Sequence, residues 1–217
     1  MNVEDAKSAM EQVWSRWGTH IPRELRRYKA DDIFRFHSSQ STFDSAFHLT
    51  FETTFKKANG LTCPAEAIGA GCGAFVTPTQ SHEARLIHIH PRNLTQEFDP
   101  MALFSHEYIH FLSHPSFYPA YYKVGGQNPF RVEGATEWLT LESYSSGFDL
   151  NALHAHDPAF TNRTTWHLVA DSVGRPITYV AEYQKTKAWL QADRNNLKRL
   201  LDFVFRGIAT NLGAIHP

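Results

Sequence analysis

Two histidines and a glutamate stand close together in the chain in a pattern suited to a metal ion: His106, Glu107 and His110, in the run His-Glu-Tyr-Ile-His. On a helix, residues four apart are turned by about 40° and separated by about 6 Å along the axis, so both imidazoles can reach a single zinc. Glu107, about 100° round from His106, then stands beside the ion without ligating it. A carboxylate so placed can take a proton from water as a general base. The rest of this helix is apolar, with Met101, Ala102, Phe104, Tyr108, Ile109 and Leu112 covering most of its circumference. Such a helix is buried, and a buried acid with two histidines costs several kcal/mol unless something pairs with it. A divalent cation supplies that pairing.

A catalytic zinc takes three protein ligands and keeps one position open, so a third ligand is needed. His114 is on the correct side of the helix but about 12 Å from His106 along the axis, too far for one ion to touch both. Glu133-Gly-Ala-Thr-Glu137 offers two carboxylates four residues apart, on one helix face. One can bind the metal while the other accepts a hydrogen bond from the free ring nitrogen of a ligating histidine. The spacing leaves open which does which. An oxyanion donor is also required for amide hydrolysis, and Tyr144 and His167 are catalytic candidates, with His154, His156 and Tyr183 behind them.

Several elements must position these groups. Apolar residues at Ala6, Met10, Val13, Trp14 and Trp17 predict an amphipathic helix over 3–17. Phe47, Leu49, Phe51, Thr53 and Phe55 alternate with polar residues and predict a half-buried strand over 46–56. Short strands are expected at 74–77 and 84–90, the latter stopped by Pro91. Because that strand precedes the metal helix, it is a candidate edge for pairing with an extended peptide, an interior strand being the alternative. Asp99-Pro100 and Asn128-Pro129 each open a helix with an N-cap and a proline at the first turn. Two further helical patterns run from Thr178 to about Leu212. Phe117, Tyr118, Tyr121 and Tyr122 join the two ligand helices and are candidates for pocket wall or core.

The 217 residues, 42% hydrophobic and 20% charged, are those of a globular α+β chain, with a sheet-containing part over 1–98 and a helical part with the metal site over 99–217. Lys+Arg 21 against Asp+Glu 22 leaves no field to attract a phosphate backbone, so nucleic acid is not an expected partner. No run approaches the length of a bilayer span and the start has no signal-peptide pattern, so neither membrane insertion nor conventional secretion is expected. Cys63 and Cys72 enclose a glycine-rich segment without CxxC spacing, and either a loop-closing disulfide or two separate thiols fits.

His106-Glu107-x-x-His110, followed by Val-Glu133-Gly-Ala-x-Glu137, resembles the gluzincin zinc metallopeptidases. The resemblance covers about 99–144. It implies a zincin-like fold, one catalytic Zn2+ on His106, His110 and Glu133, Glu137 supporting the first histidine, and a peptide or protein substrate. Glu137 is longer than the aspartate often found there, and the aminopeptidase branch's upstream glycine motif is missing. Length and architecture also resemble compact bacterial metallopeptidase toxins or effectors, which implies export as an effector and a cognate inhibitor or immunity protein. The rival expectations are a zinc amidase acting on cell-wall peptides and a non-catalytic domain that zinc only ties together.

Overall fold

In a computed structural model, described over residues 2–59, 73–91, 100–117, 129–143 and 179–208, the chain is mixed α+β, mostly helical with one small sheet. Helix α1 (Val3–Trp17) starts where the Asn2 side chain accepts from the amides of Glu4 and Asp5, and the Asp5 carboxylate returns to the Asn2 amide at 2.9 Å. This reciprocal cap satisfies donors that the first turn leaves open. Ala6, Ala9, Met10, Val13 and Trp17 form its buried stripe. Helix α2 (Ala30–Ile33) is a single turn leading into strand β1 (Phe34–Phe36).

The expected strand over 46–56 is instead part of helix α3 (Gln40–Asn59). Phe47 and Phe51 satisfy a two-residue period and a four-residue period equally, and Phe43 settles which one applies. The three rings form one stripe, each within 5.3–5.8 Å of Phe75. Leu49, which the strand pattern would bury, is 86% exposed. A strand also needs a hydrogen-bonding neighbour, whereas a helix closes its bonds within itself.

Strands β2 (Ala74–Val76) and β3 (Ile87–Ile89) fall where expected, and β1 completes the sheet in the order β1-β3-β2. β1 runs parallel to β3 with Phe34 opposite Ile87, and β2 runs antiparallel with Val76 opposite Ile87. β3 is therefore the central strand, with both of its edges already paired. The expectation that it offers an edge to peptide is corrected by this order, because its ladder groups are spent on its neighbours. His88 and His90, on and beside this strand, are buried as well.

Helix α4 (Pro100–Leu112) packs on β2, β3 and α1, and helix α5 (Pro129–Ser143) packs on α4 and α1. α6 (Tyr179–Ala192) covers α5, and α7 (Asn196–Arg206) follows it. α7 ends at Gly207, whose φ of 65° is left-handed, and the His114 ring occupies the place a Cβ would take. The His114 amide donates to Val204 O at 2.6 Å, tying the end of α4 to α7. Among the described residues, no helix is long and apolar enough to cross a membrane.

Candidate metal centre

α4 is buried on every face from Ala102 to Leu112, so its polar groups must find partners inside the protein. They meet α5. His106 Nε2 lies 3.1 Å from Glu133 Oε2, His110 Nε2 lies 3.3 Å from the same oxygen, and the two Nε2 atoms are 3.1 Å apart. A tetrahedral ion with bonds of about 2.0–2.1 Å sets its ligands about 3.3–3.4 Å apart, close to each side of this triangle. The three ligand atoms thus form a group that can hold a metal ion, and all three residues are buried.

The outer face of the first imidazole is also spoken for. His106 Nδ1 lies 3.0 Å from Glu137 Oε2. With that nitrogen donating its proton, the Nε2 lone pair faces His110 and Glu133. The spacing in the sequence left the roles of the two carboxylates open; the geometry puts Glu133 at the shared point and Glu137 behind His106. His110 Nδ1 faces Thr136 Oγ1 at 3.4 Å, a contact the sequence reading missed, although Thr136 shares a helix face with Glu133.

Electrostatics describe the same cluster from another side. Burial alone would pull the His106 pKa down, but the hydrogen bonds its ring donates to Glu133 and Glu137 outweigh it and hold the pKa at about 10. Burial works against the Glu133 carboxylate, yet His110 and His106 bring it well below the usual carboxylate range. The triangle holds positive charge strongly, and a divalent ion competes for it with protons.

Glu107 stands apart. It is 8% exposed, and no hydrogen bond among the described residues engages its carboxylate. Burial is the main cause that raises its pKa, with the nearby imidazoles working against the rise. A carboxylate kept beside the triangle without a hydrogen-bond donor is available to take up a proton.

Arg85, 1% exposed, extends beneath the last turn of α4 and donates to the carbonyls of Phe111 and Ser113 and to Thr79 O. Its charge suits a helix C-terminus. Nothing in its local sequence announces this role. His114 leaves the helix and pairs with Ser116, away from the triangle. Tyr183 is buried in the core, with Lys187 Nζ 6.0 Å from its ring centroid, and Phe117 packs against Phe203. Tyr144, His154, His156, His167, Tyr118, Tyr121, Tyr122, Cys63 and Cys72 lie outside the described residues. Compared with protein-family models, curated proteins and solved structures, the chain matches none.

Proposed function

We propose that the chain is a zinc-dependent peptidase with a zincin-like centre, using His106, His110 and Glu133 as ligands and Glu107 as general base. The observation that carries this reading is the triangle with sides of 3.1–3.3 Å, with the Glu107 carboxylate beside it and not hydrogen-bonded by any of the described residues. Zinc, when bound, supplies Lewis-acid polarisation and lowers the pKa of water towards neutrality.

The chain's own groups do the rest. Glu137 holds His106 in the tautomer that turns Nε2 inward. Glu107 takes the proton from the attacking water and returns it to the leaving amine. The buried walls formed by α4 and α5 keep the local dielectric low, which strengthens each of these interactions.

A site that zinc merely ties together is the rival, and burial of all the ligands is the observation in its favour. Structural zinc sites, however, carry four protein ligands, and only three converge among the described residues. Glu107→Gln separates the two. If this is a peptidase, the variant keeps one zinc per chain and loses at least about 100-fold in peptide cleavage. Wild-type protein that holds zinc yet cleaves nothing in a mixed peptide library, or a Glu107→Gln variant as active as wild type, would sink the proposal.

A further inference from the structure

Three residues with side-chain hydroxyls on α5 invite comparison. Thr140 turns its hydroxyl back to Thr136 O at 2.8 Å, and Ser143 does the same to Leu139 O at 2.8 Å. That is the ordinary use of a helical hydroxyl's proton. Thr136 departs from it. Fully buried, its hydroxyl makes no back-bond to its own helix and instead faces His110 Nδ1.

We propose that Thr136 is a positioning residue for the metal centre, its Oγ accepting the His110 Nδ1 proton so that the Nε2 lone pair is presented to the ion. The inference rests on the metal reading given above. An imidazole binds a metal only through a nitrogen without hydrogen, so in the loaded site the proton must sit on Nδ1 and needs an acceptor there. Thr136 Oγ is on the correct side, three residues from Glu133 and one from Glu137, so one face of α5 supplies a ligand and a support for each histidine.

The supports are unequal for a physical reason. Glu107, Glu133 and Glu137 already place three buried acids around the two histidines. Three carboxylates already carry more charge than a divalent ion neutralises, and a fourth would add to the excess. A hydroxyl accepts the proton without adding charge. It is also donor and acceptor in one group, so it can serve His110 in either tautomer as the ion enters or leaves.

The test uses the full chain and zinc alone, with affinity measured against a competing chelator. Thr136→Val keeps the shape and removes the acceptor, and Thr136→Ser keeps the acceptor. We expect Thr136→Val to weaken zinc binding by about 10–100-fold, and Thr136→Ser to stay within about threefold of wild type. The thermal midpoints of the metal-free proteins should stay together. Zinc held by wild type and lost by Thr136→Val supports the proposal even if no peptide is cleaved. Equal affinity in Thr136→Val overturns it, as does an equal loss in both variants, which would assign the effect to packing. Should Thr136→Val fail to fold, nitrogen-15 NMR of zinc-loaded wild type decides: a slowly exchanging His110 Nδ1 proton supports the hydrogen bond, and rapid exchange with water overturns it. A wild-type chain that takes up no zinc overturns this inference and the metal reading together.

Discussion

The guanidinium of Arg85 stands 2.6 Å from the carbonyl oxygen of Phe111, one residue beyond the second histidine of the triangle. The same Nη1 lies 2.5 Å from Ser113 O, and Ser113 Oγ donates to His110 O at 2.7 Å. The end of α4 is thus fixed by a buried cation, and the turn carrying His110 with it. Arg85→Met leaves those carbonyls without their donor and should destabilise the metal-free protein by about 3 kcal/mol. Arg85→Lys should recover only part, because one ammonium cannot reproduce the forked donation to Phe111, Ser113 and Thr79. Urea unfolding with chelator present measures both, and an Arg85→Met midpoint equal to wild type would remove this role.

Glu133 and Glu137 should differ in the size of their effects. Glu137→Gln removes a charge behind His106 and is expected to cost about 10–100-fold in zinc affinity. Glu133→Gln removes a charge at the shared point and should cost more. Competition against a chelator ranks them, and the reverse order would exchange their roles.

Zinc should stabilise the fold, because the triangle exists only when α4 and α5 are packed. At a free concentration about 100 times Kd the gain is about 2.7 kcal/mol. At roughly 2–4 °C per kcal/mol for a chain of this size, the thermal midpoint rises by about 5–10 °C. His106→Ala and His110→Ala should abolish the rise, while Glu107→Gln retains it. Thermal melts with zinc or chelator test this.

Protonation of two buried histidines should weaken the metal-free protein in acid, with Glu107, raised by burial, working against the decline. Burial pulls His82 and His88 down to about 4, with Arg85 adding to the effect at His82 and His37 and Arg35 at His88. Unfolded imidazoles accept protons below about 6.5, whereas these two refuse them until about 4, so stability falls with pH across that window. Glu133, held low, adds its loss once pH falls through the ordinary carboxylate value of 4.5, where the unfolded chain begins to take up the proton. His106, held near 10, loses its contribution in the opposite direction, as pH rises through that value. Melts from pH 7 to 4.5 should show the decline. His88→Phe, which keeps a flat ring against Phe75, should flatten it.

Local patterns made the histidine helix legible. The Asp99-Pro100 and Asn128-Pro129 pairs mark where α4 and α5 begin, and the four-residue spacing of the histidines and of the acids marks their polar faces. What eluded the sequence depends on distant partners. The place of β3 in the sheet follows from β1, three residues too short to display a period. Arg85 reaches carbonyls 26–28 residues away, a relation no local window contains. At α3 two periods coincided on Phe47 and Phe51, and only the packing against Phe75 separates them.

Two indoles on α1 connect the first residues of the chain to both site helices. Trp14 Nε1 donates to the Tyr108 hydroxyl at 2.7 Å, and Trp17 Nε1 donates to Leu139 O at 3.1 Å and Ser143 Oγ at 3.0 Å. These bonds span 94, 122 and 126 positions of sequence. During synthesis, which releases the N-terminal end first, α1 must wait for most of the polypeptide to emerge before it meets its partners. Closure over such separations is slow relative to helix formation. The group of His106, His110 and Glu133 that could hold an ion is thus braced only once α1, α4 and α5 have all met.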